Sequence, residues 1–284
     1  MKILISQMKP YLGDVEKNLK KMEENIKEAI EKDGDIIVFP ELSLNGSLLE
    51  DIVFDTGICE VPSMFLEYSR KITIIFGAVE AYKGKIYNSG YCVEDGKVIG
   101  KHRKVFLSNG HGGSESRYFT RGKEIDIFES RKGVFAVTLG EEGINPMVQG
   151  ILGIKGAEIV FNLVNEESAV KKEKSIYESG AVNSSFYNKN FSIVVNRVGT
   201  EDNVVFAGNS FAVSPYGKII EKMEQFTEKL SIIDIDLNDT KRASYNSFLD
   251  REDNLEVIRK EIEKVTEKDS VSYTHLTLPT NSRV

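Results

Sequence analysis

Cysteine and histidine are scarce in this sequence, and their scarcity closes off several kinds of chemistry. Two cysteines, Cys59 and Cys92, and three histidines stand among 284 residues. The cysteines give no metal-ligand spacing, so no metal site is read, and a reducing cytoplasm is the expected compartment. Neither His102 nor His111 has a serine or cysteine partner that the sequence identifies. Long apolar runs are also missing: none approaches the roughly 20 residues needed to span a bilayer. The N-terminus enters a strand directly, without the charged start and cleavage site of a secretory leader. Positive charge is in deficit, 37 Lys and Arg against 44 Asp and Glu, for a net −7. General nucleic-acid binding depends on neutralising phosphates, and the short cluster Lys101, Arg103 and Lys104 does not supply that. No internal repeat of solenoid length is present. What is there is an ordinary globular composition, 40% hydrophobic and 29% charged, with apolar residues enough for a sizeable core.

Taken in order, the chain opens strand, helix, strand. Lys2 to Gln7 is a short apolar strand. Asp14 can cap the next helix by accepting from free amides of its first turn. Val15, Leu19, Met22, Ile26 and Ile30 then recur at helical spacing, which predicts one face packed on a sheet. Asp35 to Phe39 is a buried strand ending in Pro40-Glu41. This opening predicts an α/β architecture. Ile72 to Val79 is a further strand, and Lys85 to Val93 with Lys97 to Lys101 predicts a hairpin about Asp95-Gly96. A polar, glycine-rich loop, Ser108 to Ser116, follows a basic segment. Lys123 to Glu129 and Val134 to Leu139 read as strands joined at Lys132-Gly133. Glu167 to Asn188 reads as helix, weakened by Gly180. Phe191 to Asn196 is a buried strand. Phe206 to Pro215 and Gly217 to Ile220 read as a strand pair about a Pro-Tyr-Gly turn, and Leu230 to Ile235 closes the sheet. Asn254 to Lys268 reads as a charged helix with Leu255, Ile258, Ile262 and Val265 on one stripe.

Three charged residues stand in loops after strands: Glu41, Lys104 and Glu115. Singly, each has a bland reading. An acid after a strand is commonly a solvated cap, a lysine in a basic run is commonly a surface charge, and Glu115 among Gly and Ser is commonly a loop residue. Between Val134 and Leu163 the chain reads apolar strand, sharp turn at Gly140, short helix, apolar strand. In such a strand–turn–helix the turn residue stands at the head of the strand, where a reactive side chain is held into a pocket.

These segments together resemble the nitrilase, or carbon–nitrogen hydrolase, superfamily. The motifs are Phe39-Pro-Glu-Leu42, His102-Arg-Lys-Val-Phe-Leu107, the Glu115 before Arg117-Tyr-Phe119, and the turn at Gly140. Behind that turn come the acidic pair Glu141-Glu142, Pro146, and Gly156-Ala-Glu158. Downstream lie Asn196-Arg-Val-Gly199, Phe206-Ala-Gly-Asn-Ser-Phe211 and Pro215-Tyr-Gly217. The resemblance runs from about Lys2 to Asp236. It implies an α-β-β-α sandwich, two mixed sheets face to face with helices outside, over a domain of residues 1–269. It also implies a homo-oligomer, dimer or higher, with a partner subunit on one helical layer. Family members split amides, nitriles or ureas with a Glu-Lys-Cys triad and no cofactor. By that resemblance Glu41 matches the base that takes the thiol proton. Lys104 matches the cation that stabilises the tetrahedral oxyanion, and Glu115 a second carboxylate that orients substrate or Lys104. The opening motif, the acidic pair and the Asn196 segment look closest to glutaminase-type members, including amidase domains of glutamine-dependent NAD synthetases. A small, glutamine-like amide is therefore the implied substrate, and a lost C-terminal synthetase domain the implied partner.

Counted from the same anchors, the nucleophilic cysteine falls on position 140, and this chain has glycine there. A thiolate is what attacks the carbonyl carbon and forms the acyl-enzyme, so activity is expected to be absent or strongly impaired. Thr138, on the same strand by period two, would stand about 6–7 Å back. Ile144 and Asn145 occupy positions where the nearest-looking branch has Trp and His. Three explanations of Gly140 stay open: a pseudoenzyme kept for binding or scaffolding, a sequencing or engineered change, and slow direct hydrolysis with Glu41 activating water. From about Ser270 the sequence SVSYTHLTLPTNSRV breaks from the charged pattern before it. Residues 270–284 read as translated adapter sequence, a non-native tail.

Overall fold

The computed structural model describes residues 1–108, 115–167, 175–245 and 255–272. The chain divides into two compact units, Met1–Asn246 and Ser247–Val284. The second unit's described part is one helix, Leu255–Ser272, whose stripe residues Leu255, Ile258, Ile262 and Val265 are exposed. The expected tail lies outside the described residues from 273 onward.

Two six-stranded mixed sheets make the first unit. One runs, edge to edge, Lys229–Asp234, Lys2–Gln7, Ile36–Val38, Thr73–Tyr82, Lys85–Glu94 and Lys97–Arg103. The other runs Ile219–Lys222, Phe211–Val213, Phe191–Asn196, Ile159–Val164, Gly133–Leu139 and Phe128–Ser130. In each sheet three central strands are parallel and the flanking ones antiparallel. Near-continuous apolar runs such as Ile159-Val-Phe161 suit strands covered on both faces.

Alternation along those strands builds the layers. Ile3, Ile5, Ile36, Val38 and Ile75 of one sheet share a buried cluster with Phe135, Val137, Leu139, Phe161 and Ile193 of the other. The sheets therefore pack face to face. The opposite faces carry helices. Leu4, Ile37 and Phe76 pack with Met22 and Ile26 of the helix Val15–Glu31, which Asp14 caps through Lys17 N. On the second sheet, Val160 packs with Val148 and Leu152 of helix Pro146–Ile154, and Val194 with Tyr177 and Ala181 of helix Ile176–Asn188. This is the α-β-β-α sandwich.

Three elements differ from the sequence reading. Of Lys123 to Glu129 only the end is strand, because Ile125 and Ile127 turn onto the Val148–Leu152 cluster and leave the sheet edge. The helix before Phe191 spans Ile176–Asn188, with residues 168–174 outside the description. Gly180 there is a close-approach position: a β-carbon on it would stand 2.8 Å from Ile144 Cγ2. Phe206 to Pro215 is two strands. Val204–Ala207 pairs with Val198–Glu201 in a hairpin of its own, and Phe211–Val213 belongs to the second sheet. The break falls at Gly208 and Asn209, both at positive φ, where the Gly208 backbone lies against the Gln7 side chain.

Candidate active site

Both central strands that matter here end at the same edge of the sandwich. Ile36–Val38 runs through Phe39 and Pro40 to Glu41, and Gly133–Leu139 runs into Gly140. Chemistry in layered α/β folds commonly sits at the carboxyl ends of such parallel strands. Lys104 follows the edge strand Lys97–Arg103, with its amide donated to Asn88 O at 2.9 Å and its carbonyl accepting from Gly122 N at 2.7 Å. Glu115 opens a single helical turn, Glu115–Arg117. Its carboxylate accepts from Ser108 N at 2.7 Å while its own amide donates back to Ser108 O at 3.0 Å. The ends of the glycine-rich loop are thus tied together; residues 109–114, including His111, lie outside the described residues.

The structure brings the three charged residues into one buried group. Lys104 Nζ donates to Glu41 Oε1 at 2.9 Å and to Glu115 Oε1 at 3.0 Å. Neither Glu41 nor Lys104 is a solvated surface charge: both are buried. Burial pushes the Glu41 carboxyl up to about 7, with Lys104 opposing and Glu115 adding to the rise. For Lys104, burial works against the charge, and the facing carboxylates outweigh it, so the ammonium is held above the ordinary lysine range. Opposite charges are what keep a buried lysine ionised.

Gly140 adjoins this group. Its φ is +53°, the left-handed region. A β-carbon placed there would stand 2.6 Å from Lys104 Nζ and 3.2 Å from Glu41 Oε2. That oxygen of Glu41 is buried and has no hydrogen-bond partner. A side chain on residue 140 would therefore meet an acceptor and a cation at once.

Two further residues complete the arrangement: Asn88, which was not singled out from the sequence, and Glu142, which was read there only as half of an acidic pair. Asn88, buried in the middle of Lys85–Glu94, donates Nδ2 to Glu41 Oε1 at 2.8 Å and to Glu115 Oε1 at 3.2 Å. A polar residue inside an otherwise buried strand was the available signal. Glu142 is buried one residue beyond Glu141. Its Oε1 accepts from Val105 N at 2.6 Å and Phe106 N at 3.2 Å, and its Oε2 from Leu139 N at 3.1 Å. His102 Nε2 lies 2.7 Å from that same Oε2. Burial resists ionisation of Glu142, but the His102 and backbone bonds outweigh it and hold the carboxyl below its usual range. One carboxylate thus joins the turn at residue 140 to the segment that follows Lys104.

Neither Thr138 nor either cysteine takes the place of a thiol, and the Ser108 hydroxyl, 3.3 Å from Lys104 Nζ, donates to Glu141. Thr138 Oγ1 bonds Asn162 Oδ1 at 2.6 Å. Cys59 is exposed, and Cys92 is buried between the sheets. Asn145 caps the following helix through Met147 N, and Ile144 packs beside Tyr177 and Val182. Among the described residues no set of three His, Cys, Asp or Glu is placed to hold a metal, and no helix is long and apolar enough to cross a membrane.

The family model described as carbon-nitrogen hydrolase matches residues 2–245. The chain belongs to the carbon–nitrogen hydrolase family. The chain is 29% identical over 254 residues to the glutamine-dependent NAD(+) synthetase of Thermotoga maritima, covering 86% of the chain and 43% of that protein. It is 29% identical over 260 residues to a probable nitrilase of Schizosaccharomyces pombe, covering 86% of the chain and 92% of the relative. Among solved structures, glutamine-dependent NAD+ synthetase from Acinetobacter baumannii superposes with a TM-score of 0.74 at 28% identity, over 81% of this chain and 44% of that one. A carbon-nitrogen hydrolase from Helicobacter pylori shares the fold at a TM-score of 0.78 and 22% identity, covering 90% and 98%. The chain thus spans less than half the length of the NAD synthetases it matches.

Proposed function

We propose that this chain is a glutaminase-like amide-binding domain that keeps the acid–base and oxyanion groups of amide hydrolysis and lacks the covalent nucleophile. The observation that carries this reading is the buried Lys104 held between Glu41 and Glu115 against the backbone of Gly140. With a thiol on residue 140, Glu41 Oε2 would take its proton and the sulfur would add to the amide carbon. Lys104 would balance the charge gathering on the carbonyl oxygen. Glu41 would return the proton to the amide nitrogen as the intermediate collapses and expels ammonia from a primary amide, and water would then split the thioester. Preorganised charge of this kind is commonly the largest contribution to such rates. As the chain stands, attack falls to water activated by Glu41, and turnover is absent or strongly impaired. Glutamine-like amides are the favoured class because NAD synthetases that use glutamine stand among the relatives. The same relatives, matched over 43% of their length, favour a partnership with a synthetase domain; a cytoplasmic homo-oligomer is the assembly proposed.

The test compares ammonia release from glutamine by the chain and by Gly140→Cys. Release by the cysteine variant, blocked by iodoacetamide, with the parent silent, is expected. Glutamine binding to the parent with no turnover by either protein would favour a scaffold whose pocket has drifted from catalysis. Absence of binding and turnover in both would overturn the proposal.

A further inference from the structure

A cavity of about 390 Å³ opens on the edge of the first sheet, on the outer side of the strand that leads to Lys104. Pockets of this size accept small molecules. Its cationic lining residues are Lys101 and Arg103 from the strand and Arg121 and Lys123 from the segment that runs back along it. The protein carries a net −7, so a concentration of positive charge here runs against the whole.

The charges do not cancel locally. Glu80 lies beneath Lys101 and Arg103 and is shared by both: Oε1 accepts from Lys101 Nζ at 2.6 Å and Arg103 Nη2 at 2.6 Å, and Oε2 from Arg103 Nε at 2.7 Å. Burial resists ionisation of Glu80, but those donors and Ser89 outweigh it, so it is a full carboxylate, and still one anion against two cations. Of the two lining acids, Asp126 is engaged by Lys155 at 2.6 Å, and Glu124 alone is left to face Arg121 and Lys123. With Asp126 taken by Lys155, the four lining cations meet two carboxylates, Glu80 and Glu124. His102, also in the lining, is committed to Glu142.

The geometry is fixed as well as charged. The Arg103 guanidinium lies over the rings of Tyr82, at 4.7 Å, and Tyr87, at 4.0 Å. Such stacking orders an otherwise mobile side chain. Gly122, between the two exposed cations, is held by its bond to Lys104 O. Two anchored cations and two extendable ones around one hollow are what a multivalent oxyanion requires, since arginine and lysine donors strengthen when the acceptor is ionised.

We infer that this cavity binds a small phosphorylated molecule through Lys101, Arg103, Arg121 and Lys123. The inference does not depend on chemistry at residue 140. The test is calorimetric titration of the full chain with inorganic pyrophosphate at constant ionic strength, with citrate as the carboxylate comparison. Saturable binding of one pyrophosphate per chain is expected. Arg121→Gln with Lys123→Gln should weaken it at least tenfold while the thermal midpoint without ligand stays unchanged. The lone Lys123→Glu should weaken it further than Lys123→Gln. No saturable pyrophosphate binding, binding unchanged in the double variant, or citrate held more tightly than pyrophosphate would each overturn the inference.

Discussion

The Lys104 ammonium lies so close to the Gly140 backbone that a β-carbon on residue 140 would stand 2.6 Å from Nζ. The end of a lysine side chain is the cheapest thing in a buried site to move, and the other contact, Glu41 Oε2 at 3.2 Å, is an unpartnered acceptor. The left-handed φ of +53° adds a backbone cost on the order of 1–2 kcal/mol for any residue but glycine. Gly140→Ala and Gly140→Cys should therefore fold with a similar loss of about 1–2 kcal/mol, read from urea unfolding. Only the cysteine variant should release ammonia from glutamine, on the order of 10³-fold or more above the parent, since loss of a covalent nucleophile costs up to about 10⁶. Equal activity in the alanine variant would show that sulfur is not what the pocket lacks.

Much of this could be read before any coordinates. The strand–helix–strand opening, the Asp95-Gly96 hairpin and the turn at Gly140 follow from local patterns, because alternation, capping and turn chemistry act within a few residues. The burial of Glu41 and Lys104 does not, since these residues are 63 apart in sequence and each is charged. Both leave the same sheet, so their meeting depends on the long-range pairing of its strands, and only the ordered set of motifs pointed to it. Asn88 and the bonding role of Glu142, named only as half of an acidic pair, were beyond reach for the same reason: nothing local says whose hydrogen bonds a buried amide or carboxylate completes. Lys123 to Glu129 misled because Ile125 and Ile127 alternate as in a strand yet pack on a helix.

Glu41 sets a pH dependence whose sign follows from its raised pKa. Its folded value, about 7, lies above the ordinary 4.5. The native state therefore binds the extra proton between those limits, and the stability this gives is complete below about 4.5 and lost as pH rises through about 7. Urea midpoints of the parent should carry a falling contribution from pH 5 to 8 that is absent from Glu41→Gln. In Gly140→Cys the opposite trend is expected for rate: activity should climb through about pH 7 as Glu41 becomes able to accept the thiol proton. A flat difference between parent and Glu41→Gln across that window would contradict the raised value.

Gly77 faces the loop that carries Glu41. A β-carbon there would stand 2.6 Å from Leu42 N, 2.8 Å from Glu41 Cα and 2.8 Å from Pro40 O, all backbone atoms with nowhere to go. Gly77→Ala should destabilise the fold by roughly 1–3 kcal/mol, the usual range for overpacking. It should also displace Glu41, so that the double variant Gly77→Ala, Gly140→Cys loses most of the activity of Gly140→Cys alone. A double variant as active as the single one would mean that the loop relaxes without moving the carboxylate.

Glu142 links the two halves of the candidate site, and its removal should be felt in both. Glu142→Ala would strip the acceptor from Val105 N, Phe106 N and Leu139 N and leave His102 facing a cavity. Each unsatisfied buried donor costs about 1–3 kcal/mol, so a loss of roughly 3 kcal/mol or more is expected in chemical unfolding. Glu142→Gln keeps one carbonyl acceptor and should lose less. The lowered carboxyl pKa gives the pH signature: the stability due to this residue is present above about 4.5 and disappears as pH falls through the depressed folded value. Acid unfolding of Glu142→Gln should accordingly be less steep than that of the parent. If both variants unfold at the parent's urea midpoint, the carboxylate does not tie the turn at residue 140 to the Lys104 segment.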